Sequence, residues 1–321
     1  MEQIKKTPLQ RGPSSIHLFT LYTIWREIYM KAKTIKAILS KKHKDFVESI
    51  KDESVRELVR KNSIITGGSI VSMLQNEEVN DYDYYFTNKE TVLAVANYYL
   101  NEFKKGKDLA ASVVAEDGRV KIMIKSDGVA GEPQEYETDE PESTSLFEGD
   151  ESHVDELKEQ EDPKYKPVFL STNAISLTGK VQLVIRFYGD SDEIHSNYDF
   201  VHATCFWRSE DNFLSLPREA LEAIITKELI YTGSKYPLAS IFRTKKFINR
   251  GWQINAGQYL KMALQLNDMN LLDVKVLEEQ LTGVDSAYFY QVIRYIREKQ
   301  EKDSNFKLDN TYLFEVINRI F

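Results

Sequence analysis

The chain has 321 residues, of which 42% are hydrophobic, 12% aromatic and 29% charged, with a formal net charge of −8. That length and apolar content support a sizeable core, which excludes global disorder. The single cysteine, Cys205, excludes a disulfide framework and a cysteine-based zinc site, and it fits a reducing, cytoplasmic compartment. No apolar run reaches the ~20 residues of a membrane span. The nearest, from Ile16 to Met30, is interrupted by Arg26 and Glu27 and lacks a small-residue cleavage site, so no membrane partner is expected.

The charge is unevenly spread. Residues 127–166 hold 15 Asp/Glu and 3 Lys, whereas the rest of the chain carries 35 acidic and 39 basic residues. One acidic segment makes a mildly basic chain acidic, which is compatible with a polyanionic substrate.

Residues 1–29 form an N-terminal extension, either a short appended helix or an upstream mis-start before Met30. Helical spacing of apolar residues predicts one helix over 30–61, ended by Asn62. A strand, Ser63 to Thr66, runs into Gly67-Gly68-Ser69 and a brief helix, Ile70 to Leu74. A polar loop over 76–80 precedes a strand from Asp81 to Phe86, and Thr87 or Asn88 caps the next helix. A hairpin follows, Ser112–Val114 to Val120–Ile124 across Asp117-Gly118. The acidic stretch 127–166 reads as a solvated surface insertion; the sharper reading is a docking segment for a basic protein partner or a nucleic-acid mimic. A second hairpin spans 173–187, a polar loop 189–197, and a strand runs from Tyr198 to Trp207. Helices are expected over 217–230, 237–265, 271–281, 285–302 and 309–320. The order makes an α+β fold: a head of a small mixed sheet flanked by helices over 30–216, then an all-α neck and body over 217–321.

The chemistry-bearing unit is strand, Gly67-Gly68-Ser69, helix, loop, Asp81-Tyr82-Asp83. Alternate strand residues share a face, so Asp81 and Asp83 project together. Two adjacent carboxylates repel, and a hard divalent cation, Mg²⁺ or Mn²⁺, relieves the repulsion. The glycines allow close backbone approach to a polyphosphate, and Ser69 adds a hydroxyl at a helix start, where amides favour anions. Downstream, Arg243, Lys246, Phe247 and Arg250 fall at i, i+3, i+4 and i+7, one helix face with a basic edge.

With twelve residues between Gly68 and Asp81, this unit resembles the signature of the DNA-polymerase-β-like nucleotidyltransferase superfamily. The stretch Tyr236-Pro237-Leu238 to Ile254 is similar to the neck helix of bacterial poly(A) polymerases and tRNA CCA-adding enzymes. Asn173 to Leu177, Gln182 to Ile185 and Tyr198 to His202 resemble phage-encoded members, which implies the host cytoplasm or a virion as location. The resemblance covers about residues 55–260. It implies a third carboxylate on a neighbouring strand, for which Asp199 is the candidate beside the alternative that Asp199 caps the preceding loop. It also implies triphosphate contacts from Gly67, Gly68, Ser69, Arg243, Lys246 and Arg250, metal ligation by Asp81, Asp83 and Asp199, and transfer of NMP from an NTP to an RNA or other nucleic-acid 3′ end, or to another hydroxyl. The chain departs from those enzymes in having Ile70-Val71-Ser72 where they carry an Arg-Asp pair, so neither a CCA-adding nor a poly(A) substrate is carried over. The alternative is a catalytically inactive nucleotidyltransferase-like fold kept for binding or structure. His195 and His202 are too isolated for a zinc site, His202 and Cys205 read as packed residues, and Tyr82 to Phe86 reads as a buried strand.

Overall fold

A computed structural model describes residues 31–105, 111–116, 119–124, 164–171, 173–281, 287–303 and 305–320. Residues 1–30, the Asp117-Gly118 turn and nearly all of the acidic segment lie outside the described residues, and so do the expectations attached to them.

Helix α1 (Ala32–Ser49) buries Ile35, Leu39, His43, Phe46 and Val47, a stripe at helical spacing. The single helix expected over 30–61 is in fact two. Ile50 turns extended, the Lys51 amide donates to the Tyr98 hydroxyl, and the Asp52 carboxylate accepts from the Ser54 and Val55 amides to open α2 (Glu53–Lys61). Aspartate satisfies orphan amides at a helix start but competes with the backbone inside a helix, so the break falls where the sequence offers a cap. Asn62 ends α2 as expected.

Strand β1 (Ser63–Thr66) is wholly buried and leads into α3 (Gly68–Leu74). After β2 (Tyr82–Phe86), Asn88 caps α4 (Lys89–Lys104). Strands β3 (Ala111–Glu116) and β4 (Arg119–Ile124) pair as a separate two-stranded sheet. The remaining strands are β5 (Pro167–Leu170), β6 (Ala174–Leu177), β7 (Val181–Tyr188), β8 (Phe206–Arg208) and β9 (Phe213–Ser215). They join β1 and β2 in one mixed sheet ordered β5-β6-β7-β2-β1-β8-β9. Only β2 and β7 run parallel; β2 lies antiparallel to β1, with Thr66 opposite Asp83. The Gly67 turn and the Asp83 carboxylate thus meet at the centre of the sheet.

Two loop readings change. The polar stretch 189–197 contains a short helix, α5 (Ser191–His195), closed by a reciprocal Asp190–Glu193 capping box. The strand expected from Tyr198 to Trp207 is reduced to β8. Phe200 makes an isolated bridge to Tyr231, residues Val201–Thr204 coil into a 3₁₀ turn, and the chain becomes a strand only where it pairs with β1. The alternation of large and small side chains from Phe200 onward fits a tight turn as well as a strand.

The C-terminal helices are α6 (Arg218–Thr226), α7 (Pro237–Asn249), α8 (Ala256–Asn267), α9 (Val274–Leu281), α10 (Ala287–Lys302) and α11 (Asn310–Ile320). The first stops early because Lys227 adopts the left-handed conformation. The helix expected over 237–265 is split into α7 and α8 at Gly251, whose φ of +81° needs no Cβ. There the Trp252 amide reaches back to the Phe247 carbonyl, and Asn255 caps the second half. Beyond residue 216, Ala220, Ile224, Leu229, Trp252 and Met262 still share the head's core. A second core gathers Leu277, Leu281, Val292, Ile296, Leu308 and Val316 from α9 to α11. Helix α7 serves both, with Ile241 and Phe247 on the first and Leu238 and Phe242 on the second.

Candidate active site

Gly67 is the pivot. Its backbone sits at φ +87°, ψ −145°, a region costly for any residue with a Cβ. A methyl there would lie 3.2 Å from Asp83 Oδ2 and 3.6 Å from the Tyr198 hydroxyl. The glycine is therefore required both by its torsions and by the carboxylate packed against it. Gly68 differs: it is exposed, and a Cβ on it meets nothing within 4 Å. Open space beside Gly68 and the first amides of α3 is the side from which an anion can approach. Ser69 does not face that side as expected; it is 2% exposed, and its hydroxyl has no hydrogen-bond partner.

Asp81 and Asp83 are both half-buried; the strand expected from Asp81 starts at Tyr82, so Asp81 immediately precedes β2 and Asp83 is its second residue. Burial raises the Asp81 carboxyl above its ordinary range, while the Lys246 and Arg250 charges pull it back down. The basic edge of α7 thus lies within electrostatic reach of Asp81, bringing together groups 165 or more residues apart in sequence. Phe247, expected on that same edge, instead packs inward against Phe200, His202 and Trp252.

Asp199 is not on a strand. Its carboxylate accepts from Arg243 Nη1 at 2.5 Å, in a pair whose acid is 13% and base 33% exposed. The backbone carbonyl of Asp199 accepts from the Thr232 amide, so the residue is held at both ends. Among the described residues, no group of three His, Cys, Asp or Glu side chains is arranged to hold a metal ion. The donor chemistry at Asp81 and Asp83, two half-buried carboxylates one residue apart where β2 begins, fits a hard divalent cation. In this arrangement the Asp199 carboxylate is engaged by Arg243.

A polar network behind Asp83 escaped the sequence reading. Tyr198 and Tyr85 face each other with ring centroids 6.1 Å apart, and burial pushes both hydroxyls up, with Asp83's charge adding to the effect. Thr66 donates to the Cys205 carbonyl at 2.9 Å, so with its one proton committed its hydroxyl accepts from His195 Nε2, also at 2.9 Å. Burial lowers His195 to about 4, leaving it neutral. The only sequence signal for this network was that Tyr198 adjoins Asp199. His202 and Cys205 are buried as expected, His202 pulled down to about 4 and the Cys205 thiol pushed up to about 12, each by desolvation.

Comparison with known proteins gives two kinds of match. The sequence profile of the Gabija anti-defense 2 family matches residues 37–227. A protein of Bacillus phage SPbetaL7, named Gabija anti-defense 2, is 19% identical over 279 residues, covering 84% of this chain and 55% of its own length. The chain therefore spans about half the length of that relative. Among solved structures, the Thermotoga maritima CCA-adding enzyme complexed with tRNA is 12% identical with a TM-score of 0.37, over 87% of this chain and 65% of that one. The Bacillus stearothermophilus CCA-adding enzyme in complex with CTP is 11% identical with a TM-score of 0.35, over 82% of this chain and 52% of that one. At such scores the overlaps by themselves assign neither fold nor chemistry. Among the described residues, no helix is long and apolar enough to cross a membrane.

Proposed function

This chain belongs to the Gabija anti-defense 2 family, and we propose that it works as a metal-dependent nucleotidyltransferase, moving NMP from an NTP to a nucleic-acid 3′ end or other hydroxyl acceptor. The relative's name supplies the setting, a phage protein directed against Gabija, and the transfer would serve that end. The reading is supported by the Arg243–Asp199 ion pair, which ties α7 to the residue after Tyr198 and so to the Gly67 turn, and by the charges of Lys246 and Arg250 acting on Asp81. Carboxylates for a cation and cations for a triphosphate come from different elements to one place, which a solvated strand edge does not require.

Asp81 and Asp83 would hold the divalent ion. When bound there, Mg²⁺ or Mn²⁺ supplies charge neutralisation at the triphosphate and makes an attacking hydroxyl more acidic. Lys246 and Arg250, exposed at the end of α7, bind and orient the phosphates and steady the negative charge that grows on the departing pyrophosphate. Gly67, lacking a Cβ, leaves room for the Asp83 carboxylate beside the turn. Arg243, tied to Asp199, fixes the rotation of α7 and so the direction of the other two cations.

The test is incubation with each α-labelled NTP and Mg²⁺ or Mn²⁺, with and without RNA, beside an Asp81→Asn/Asp83→Asn variant. Transfer abolished in the variant supports the enzyme, and the labelled species identifies the acceptor. A second reading, binding without catalysis, is favoured by Arg243's hold on Asp199 and by the buried Ser69 hydroxyl. Metal-dependent NTP binding without transfer would select it. Absence of both would refute the nucleotide site.

A further inference from the structure

A second cationic cluster stands at the junction of head and helical body. Arg186, in the irregular part of β7, is only 7% exposed. It donates through Nη2 to the Tyr236 hydroxyl, and its guanidinium lies 4.8 Å from the Tyr236 ring centroid and 5.2 Å from that of Phe187. Among the described residues, its Nε has no hydrogen-bond partner, and the acid whose charge reaches it is Glu279, an exposed side chain of α9 with no ion pair to it. Charged groups are rarely buried unless paired, because desolvation is not otherwise repaid. Two aromatic faces and a phenol offset part of that cost but leave a net positive charge.

More positive character gathers here. Arg119 opens β4, which packs against β7, and its charge acts on Arg186; the Lys235 ammonium lies 5.6 Å from the Phe187 centroid. Helix α7, 13 residues long, begins at this point with Tyr236 in the cap position and Pro237, which has no amide hydrogen, as its first residue; no side chain caps the amides of Leu238 and Ala239 that follow. Like charges converging on an uncapped helix start repel one another and leave donors unmet, and an oxyanion relieves both.

We propose that Arg186, Arg119, Lys235 and the first turn of α7 form a second anion site, which takes a phosphate group. A carboxylate would be matched by one guanidinium fork. Three cations and a helix start fit the larger charge and the several acceptor oxygens of a phosphate. The group can belong to a mononucleotide or to the backbone of a single-stranded nucleic acid. None of these residues is part of the Asp81–Asp83 site, so the inference stands apart from the nucleotidyltransferase reading.

The experiment uses the full chain in EDTA, which silences any cation-dependent binding at Asp81 and Asp83, at constant ionic strength. Thermal shift with inorganic phosphate and with AMP, and anisotropy of a labelled single-stranded oligonucleotide, read the two sources. The expected result is saturable binding of at least one probe, weakened about tenfold, the equivalent of one charge-assisted contact, by Lys235→Glu at the exposed position and by Arg186→Lys in the interior. Asp81→Asn/Asp83→Asn should bind like the parent. Stabilisation by phosphate or AMP assigns a terminal phosphate, and oligonucleotide binding alone assigns a phosphodiester. Absence of saturable binding, indifference to Lys235→Glu in a folded protein, or loss in the Asp81/Asp83 variant would overturn the site.

Discussion

Gly67 and Gly68 are neighbours that should respond to alanine in opposite directions. At Gly67 the alanine inherits φ +87°, ψ −145°, a conformation that costs a residue with a Cβ about 1–3 kcal/mol. Its methyl would also press on Asp83 Oδ2 from 3.2 Å, a contact tighter than ordinary packing allows, so the carboxylate or the turn must shift. At Gly68 the same methyl meets nothing within 4 Å, and the residue is the first of α3, where alanine in place of glycine gains up to about 0.5–1 kcal/mol. The two variants should therefore differ by about 1.5–4 kcal/mol, the sum of these effects. Urea unfolding of both variants beside the parent, followed by far-UV circular dichroism, measures the difference. Equal midpoints for the two variants, or a Gly67→Ala protein as stable as the parent, would refute the conformation and packing assigned to this turn.

Three histidines give the chain an acid-sensitive stability. His43, His195 and His202 are each held to about 4 by burial, so each stays neutral in the fold while its unfolded counterpart takes up a proton below pH ~6.5. Their contribution is complete above pH ~6.5 and declines by up to about 1.4 kcal/mol per pH unit per group down to pH ~4. Urea midpoints between pH 7.5 and 4.5 should fall accordingly, and His202→Gln should flatten the slope; an unchanged slope would contradict its burial as a neutral ring. At Asp81 burial works the other way: a carboxyl held above its usual range means the fold binds the proton more tightly than the unfolded chain does. The stability so contributed is present at low pH and lost as pH rises past the unfolded value, so Asp81→Asn should raise the melting temperature at pH 7 while abolishing cation-dependent nucleotide binding. A lower melting temperature would reject this account. Cys205, fully buried with its thiol pushed up to about 12, should resist Ellman's reagent in the native protein and react at once in urea; rapid native labelling would contradict its packing.

Much of the head was legible because its signals are local. Strand β1, the glycine turn, β2, the Asn88 cap and the β6–β7 hairpin all follow from alternation, turn residues and caps within a few positions. The misreadings share one physical cause: apolar spacing persists across a break, whereas the break depends on a single cap or torsion. Asp52 divides the first helix and Gly251 divides α7 from α8, each without interrupting the hydrophobic stripe. From Tyr198 to Trp207 the pattern suits a strand, but pairing with β1 begins only at Phe206, and pairing is a tertiary fact. In the candidate site, Asp81, Asp83 and the glycines were visible as a motif, and so was the basic face of α7. That Arg243 would be held by Asp199, and that Tyr198, Tyr85 and His195 would line the back of Asp83, depends on contacts more than forty residues apart.

Helix α7 has its Leu238 in the core of the terminal helices and, at its other end, the cap residue Arg250 within electrostatic reach of Asp81. Twelve residues at about 1.5 Å each make this a rod of roughly 18 Å, stiff along its length. Anything that grips the terminal helices then has leverage on the charge around Asp81, without touching the head. Slow amide exchange along α7 should match that of the sheet, because neither core can open while keeping its share of the rod.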